Sequence, residues 1–209
     1  MNSYVSTIIE YARRLSEEKV CGKDDCISIK ALNGEFYATK ENVDFANLQE
    51  NDVLKCEIGD QSLSNELKLH ATIYSTYEDV KAICHSYPAW VVPVSKSGKT
   101  IPAVLDDMAQ IVGPTCKTAN NDVVSIIKNL KGRNSCLVKD SGCITTGRSM
   151  DEAYTCLLVL DKASHCFVAS AVIGKNVIIN GIEARLMRFV YKKKYSKANQ
   201  ANLQVKEEE

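Results

Sequence analysis

The sequence predicts a single α/β domain built on a mixed, mostly antiparallel sheet flanked by helices. Three observations point there: a helical stripe opens the chain, short strand-like runs joined by a hairpin signal follow, and helical and β-branched segments then alternate with no repeat or linker to divide them. A chain of 209 residues with 45% hydrophobic and 25% charged positions can bury one sizeable core, which excludes disordered and fibrous classes.

Val5, Ile8, Ile9, Ala12 and Leu15 recur at spacings of three and four, which predicts an amphipathic helix over residues 2 to 18 with Ser3 as its N-cap. Asp25 to Leu32, Glu35 to Thr39 and Val53 to Ile58 have strand composition, and Asn33-Gly34 between the first two is a strong hairpin signal. Helical spacing returns from Ser64 to Tyr77 and puts Glu66 and His70 on one face. Val80 to His85 is a β-branched run stopped by Pro88. Apolar segments follow at Ala89 to Val94 and Ile101 to Val112, and a helix closed by Gly132 is expected over Val123 to Leu130. Ser135 to Val138 reads as a strand that continues beyond Gly142 through Ile144 to Thr146. Ser149 then caps a long helix from about Asp151 to Val172, and a last helix covers about Ile182 to Lys194. The domain is expected to occupy residues 1–196, with 197–209 a polar, frayed tail.

Twenty-six basic residues balance 26 acidic ones, so no global field favours nucleic acid or an anionic membrane, and Lys192 to Lys194 read as a solvated helix end. No run approaches the roughly 18 apolar residues of a bilayer span, and no secretory leader is visible; the expected location is cytoplasmic. The nine cysteines are odd in number and lack a Cys-x-x-Cys pair, which predicts reduced, packed thiols.

Three blocks carry chemistry. Ser64-Asn65-Glu66 opens the helix that leads into Ile83-Cys84-His85-Ser86-Tyr87-Pro88; Ile101-Pro102-Ala103 precedes Met108 to Gly113; and Cys136 to Ala153 contains Asp140-Ser141-Gly142. In this order and spacing they resemble the class II aldolase/adducin family. The resemblance implies a three-layer fold with helices on both faces, a sugar-phosphate substrate, zinc held by three imidazoles, a glutamate acid/base and a homotetramer with sites between subunits. By position, Glu66 matches the acid/base and His85 the first zinc ligand, while Tyr87 and Ser141 stand where the other two histidines would be.

A phenol and a hydroxyl are protonated near neutral pH and bind zinc poorly, so zinc-dependent aldolase activity is not expected and the implied role is a small-molecule-binding or assembly subunit. The alternative is a sugar-phosphate lyase or epimerase with an altered metal site, for zinc or another divalent metal, built from Glu66, His85 and either Tyr87 or a Cys143 thiolate, with Glu66 as acid/base. Metal-independent chemistry by Glu66 and His85 on a small carbonyl compound is a third possibility. Thr39, Ser64 and Asn65 match the phosphate- and substrate-binding positions. Cys26 replaces the asparagine of the first phosphate loop; Asp24 and Asp25 beside it would repel a dianion, which Lys23 or Lys40 could offset. Asp106 stands where the aldolases place a tyrosine, and with Asp107 is expected on a solvated helix face or cap. His70 and His165 are expected to be structural.

Overall fold

The computed structural model describes residues 2–22, 24–175 and 178–207, so Lys23 lies outside the described residues. Helix α1 (Ser3–Glu17) is capped by Asn2 rather than Ser3: the Asn2 side-chain oxygen accepts the Tyr4 N–H at 2.9 Å, which leaves Ser3 inside the first turn. Strands β1 (Cys26–Lys30) and β2 (Glu35–Thr39) form the expected hairpin. Asn33 and Gly34 both have positive φ, 58° and 78°, the geometry that turns a hairpin in two residues. Strand β3 (Val53–Glu57) pairs with β2.

Helix α2 (Asn65–Thr76), capped by Ser64, precedes β4 (Ala82–Ser86). The next apolar segments give α3 (Val91–Ser97), the short strand β5 (Ile101–Pro102) and a π-type turn over Met108–Val112. Asp107 caps that turn by accepting the Met108 N–H and also pairs with Lys162 at 3.0 Å, consistent with a capping role. Two further short strands, β6 (Thr115–Cys116) and β7 (Thr118–Ala119), lead to α4 (Val123–Leu130).

Strands β8 (Ser135–Val138) and β9 (Cys143–Gly147) do not continue one another. Asp140 and Gly142 adopt φ of 60° and 63°, the chain reverses, and the two strands pair antiparallel with Leu137 opposite Cys143. Ser141 therefore sits at a hairpin tip. A β-carbon on Gly142 would land on the Ser86 carbonyl oxygen, so that tip rests directly on the end of β4.

Helix α5 (Met150–Ile173) starts at the predicted cap, Ser149. By length and composition it is long and apolar enough to cross a bilayer, contrary to the expectation that no run approaches that length. Ala153, Cys156, Leu157, Leu160 and Ala163 bury one of its faces, so it serves as a core helix here. Helix α6 (Gly181–Glu207) runs well past Lys194 through the residues expected to fray. No glycine or proline follows Gly181 to stop it.

The main sheet has seven strands in the order β3-β2-β1-β4-β9-β8-β7, antiparallel except for the β7–β8 pair. Helices α1, α3 and α5 cover one face, packing Ile8, Leu15, Val91 and Leu157 near Ile27 and Cys84. Helices α2 and α4 cover the other, where Leu67, Ile73 and Ile126 meet Phe36, Ile83 and Ile144. Among the described residues every cysteine is a free thiol, and seven of the nine are buried. Arg188 of α6 is buried and reaches back across the core: its guanidinium donates to the Gln110 and Ile111 carbonyls and to Asn134 Oδ1.

Candidate functional site

Residues from α2 and from the centre of the sheet meet in one polar cluster. In the β1–β4 ladder Cys26 lies directly opposite His85, and strand alternation turns both toward α2, away from Cys84. Glu66, His70 and Tyr74 sit one turn apart along the facing side of α2. The result is a continuous contact chain: His85 Nδ1 to Glu66 Oε1 at 2.7 Å, Glu66 Oε1 to His70 Nε2 at 3.1 Å, His70 Nδ1 to Ser28 Oγ at 2.7 Å, and Ser28 Oγ to Tyr74 Oη at 2.7 Å.

His85 is engaged at both ring nitrogens. Its Nε2 lies 2.7 Å from the Ser141 backbone carbonyl, which only accepts, so that nitrogen carries a proton. Its Nδ1 faces the Glu66 carboxylate. Burial opposes charge on the imidazole, but the Glu66 hydrogen bond and charge, aided by the Ser141 carbonyl, raise its pKa above the usual histidine value. Burial pushes Glu66 the other way, and the two imidazoles outweigh it, holding the carboxyl well below the usual carboxylate range. Both ring nitrogens face acceptors, which favours a charged imidazole beside an ionised Glu66. Tyr87 stacks on the His85 ring, with centroids 5.2 Å apart, and its hydroxyl is 3.0 Å from Ser141 Oγ.

His70 is fully buried and differs from His85. Its Nδ1 is partnered by Ser28, whereas Nε2, though close to Glu66, has no aligned hydrogen-bond partner. Cys26 Sγ, a Glu66 oxygen and a His70 ring nitrogen lie within 4.8 Å of one another, a group able to hold a metal ion. Cys26 donates weakly to the Thr39 carbonyl at 3.8 Å, and burial pushes its thiol well above the ordinary cysteine value. In the sequence Cys26 stands in place of the phosphate-loop asparagine and His70 has only the spacing of a packed helical residue. Their convergence depends on strand register, which local spacing does not encode.

A cavity of about 440 Å³ opens beside this cluster, lined by Thr39, Lys40, Lys55, Ser64, Glu66 and Cys26 among others. The Thr39 hydroxyl accepts the Ile27 N–H and the Ser64 hydroxyl accepts the Leu67 N–H, so both hold backbone while facing the cavity. Asn65, the first residue of α2, is exposed and not among the lining residues. Asp25 is buried, accepts the Tyr87 N–H through Oδ1 at 3.2 Å, and leaves Oδ2 unpartnered. Burial, partly offset by its hydrogen bonds, pushes its carboxyl up to about 7.

Cys143 is not part of the site. It lies opposite Ser86, donates toward that residue's carbonyl, and belongs to the core under α1 and α5, because alternation along β9 turns it away from α2. His165 stacks on Trp90 at 4.0 Å, remote from the cluster.

The model for the class II aldolase and adducin N-terminal domain matches residues 8–168. The chain belongs to that family. Among solved structures, an L-fuculose 1-phosphate aldolase superposes with a TM-score of 0.85 at 19% identity, covering 92% of this chain and 97% of that one. The L-fuculose 1-phosphate aldolase from Glaciozyma antarctica PI12 gives 0.75 at 16% identity, covering 88% and 80%. YgbL from Escherichia coli gives 0.76 at 16% identity, covering 89% and 98%. At these identities the likeness shows the class II aldolase fold. Decarboxylase NovR from Streptomyces niveus is 27% identical over 131 residues, 56% of this chain, which spans about half (47%) of that relative's length. Class II aldolase proteins usually bind zinc, and the Cys26, Glu66 and His70 group is a set of metal-capable donors in this member.

Proposed function

We propose that this class II aldolase-family protein lacks zinc-dependent aldolase activity and acts in the cytoplasm as a small-molecule-binding or assembly subunit. One observation carries the reading: both ring nitrogens of His85 are already engaged, Nδ1 by the Glu66 carboxylate and Nε2 by the Ser141 carbonyl, so neither is directed at an open metal position. Tyr87 and Ser141, at the other two ligand positions, hydrogen-bond each other through their hydroxyls. An imidazole engaged at both nitrogens, a phenol and an alcohol do not fit a zinc triad. Glu66, tied to His85 and held ionised, is also a poor proton shuttle.

The test is incubation with L-fuculose 1-phosphate and related sugar phosphates in the presence of zinc. No chelator-sensitive cleavage is expected. Such cleavage, lost on His85→Ala, would overturn the reading.

The second reading is a lyase or epimerase acting on a sugar phosphate or small carbonyl compound, with Glu66 as acid/base. It is favoured by the cavity where Glu66 meets Thr39, Ser64 and Lys40, and by the likeness to a decarboxylase. Sugar-phosphate turnover lost on Glu66→Gln and on His85→Ala would establish it, with chelator sensitivity marking an altered metal site and chelator insensitivity the metal-independent form. The outer face of α6 supports self-assembly, with the family's tetramer the expected form. Its apolar residues Ile182, Leu186, Phe189 and Val190 are 55–77% exposed.

A further inference from the structure

We infer that Cys26, Glu66 and His70 form a thiolate–carboxylate–imidazole site for a zinc-like cation, displaced from the histidine positions of the family, with a fourth coordination position open to the adjacent cavity. Three features converge on it. The donor atoms already lie within 4.8 Å of one another. Ligand atoms around tetrahedral zinc are roughly 3.3–3.8 Å apart, given Zn–N near 2.0 Å and Zn–S near 2.3 Å. Glu66 Oε1 and His70 Nε2 are already 3.1 Å apart, so what remains to close, at most about 1.5 Å, lies between Cys26 Sγ and those two atoms. The second feature is His70 Nε2, a fully buried nitrogen whose 3.1 Å contact with Glu66 Oε1 is poorly aligned. Such a contact leaves the nitrogen only partly satisfied, and a coordinated cation would complete its bonding.

The third feature is the outer support. His70 Nδ1 is held by Ser28, itself held by Tyr74, which is how a ligating imidazole is oriented. Glu66 Oε1 contacts both His85 Nδ1 at 2.7 Å and His70 Nε2 at 3.1 Å, so the oxygen bonded to His85 already lies at the site. His85 therefore supports the site from outside rather than ligating. On binding, the Cys26 S–H bond breaks, the proton leaves to solvent through the cavity, and a metal–sulfur bond forms without redox change. Because Cys26 and Glu66 both line the 440 Å³ cavity, the open position would face a small anionic or carbonyl ligand near Lys40 and Ser64.

The inference rests on the reading above and deepens it, since a Glu66 that ligates metal is not free to shuttle the aldol proton. Cobalt(II) is the probe, added to the full-length protein after chelator treatment. One equivalent should produce the near-ultraviolet band of a cobalt–thiolate bond with visible bands of four-coordinate cobalt, and zinc should bleach both. Cys26→Ser should remove the thiolate band, His70→Gln should weaken binding, and Ser28→Ala should weaken it by roughly 10-fold. Cys56→Ser, which alters the cavity's other thiol, should leave the spectrum unchanged. Absence of the band in the wild-type protein, its survival in Cys26→Ser, or its loss in Cys56→Ser would overturn the inference. The wild-type measurement decides even where a variant fails to fold. A missing band leaves the reading of an inactive aldolase standing, whereas His85-dependent, chelator-sensitive cleavage overturns that reading and not this site.

Discussion

At the residue scale, His85 and Glu66 make opposite demands on pH. The lowered Glu66 pKa contributes stability that is present above the unfolded value, about 4.3, and is lost as pH falls through the folded one. The raised His85 pKa contributes stability that is complete below about 6.5 and is lost as pH rises through its folded value. The pair should thus stabilise most between about pH 4.3 and 6.5. His85→Gln should cost about 2–3 kcal/mol there, discounted for the partial exposure of Glu66, as read by urea denaturation at pH 5.5. Asp25 behaves differently. Between about pH 4 and 7 the unfolded chain ionises this carboxyl while the folded chain does not, so stability falls as pH rises. Asp25→Asn should remove that slope and gain about 1–3 kcal/mol at pH 8 relative to wild type, with little change at pH 4; equal pH profiles for the two proteins would refute the assignment.

At the element scale, the β8–β9 hairpin delivers the Ser141 carbonyl to His85, and its tip tolerates no side chain at Gly142. Gly142→Ala should push the tip off Ser86, lengthen the Ser141–His85 contact and destabilise by at least about 2 kcal/mol. Thermal unfolding measures the loss, and the His85 imidazole NMR shift should move with it. This reversal was not legible beforehand. Two short apolar runs around Gly142 read equally well as one bent strand, and only the positive φ of Asp140 beside it makes the turn tight. The hairpin at Asn33-Gly34 was legible because that dipeptide specifies its turn without help. The Ser64 cap and the common face of Glu66 and His70 were legible for the same local reason. What spacing could not encode was the pairing of Cys26 with His85 across two strands some 60 positions apart in sequence, which turns a buried thiol into a site residue.

At the scale of the whole molecule, the mixed sheet with helices on both faces agrees with the expectation from the sequence, while the extent of α6 and the apolar length of α5 exceed it. Leu186→Glu with Phe189→Glu should convert an oligomer to monomers, as read by light scattering, without loss of helical signal; a wild-type protein that is already monomeric would remove the case for assembly through this face. The Arg188 clamp has a further consequence. The family match ends at residue 168, yet α6 lies beyond it and holds a guanidinium against the carbonyls of the π-type turn, while the Ile179 N–H donates to the Ala103 carbonyl. A protein cut after Gly174 would bare those acceptors and should unfold at lower temperature and less cooperatively. The boundary of the family match is therefore not the boundary of the folding unit, because a helix beyond it helps to close the core.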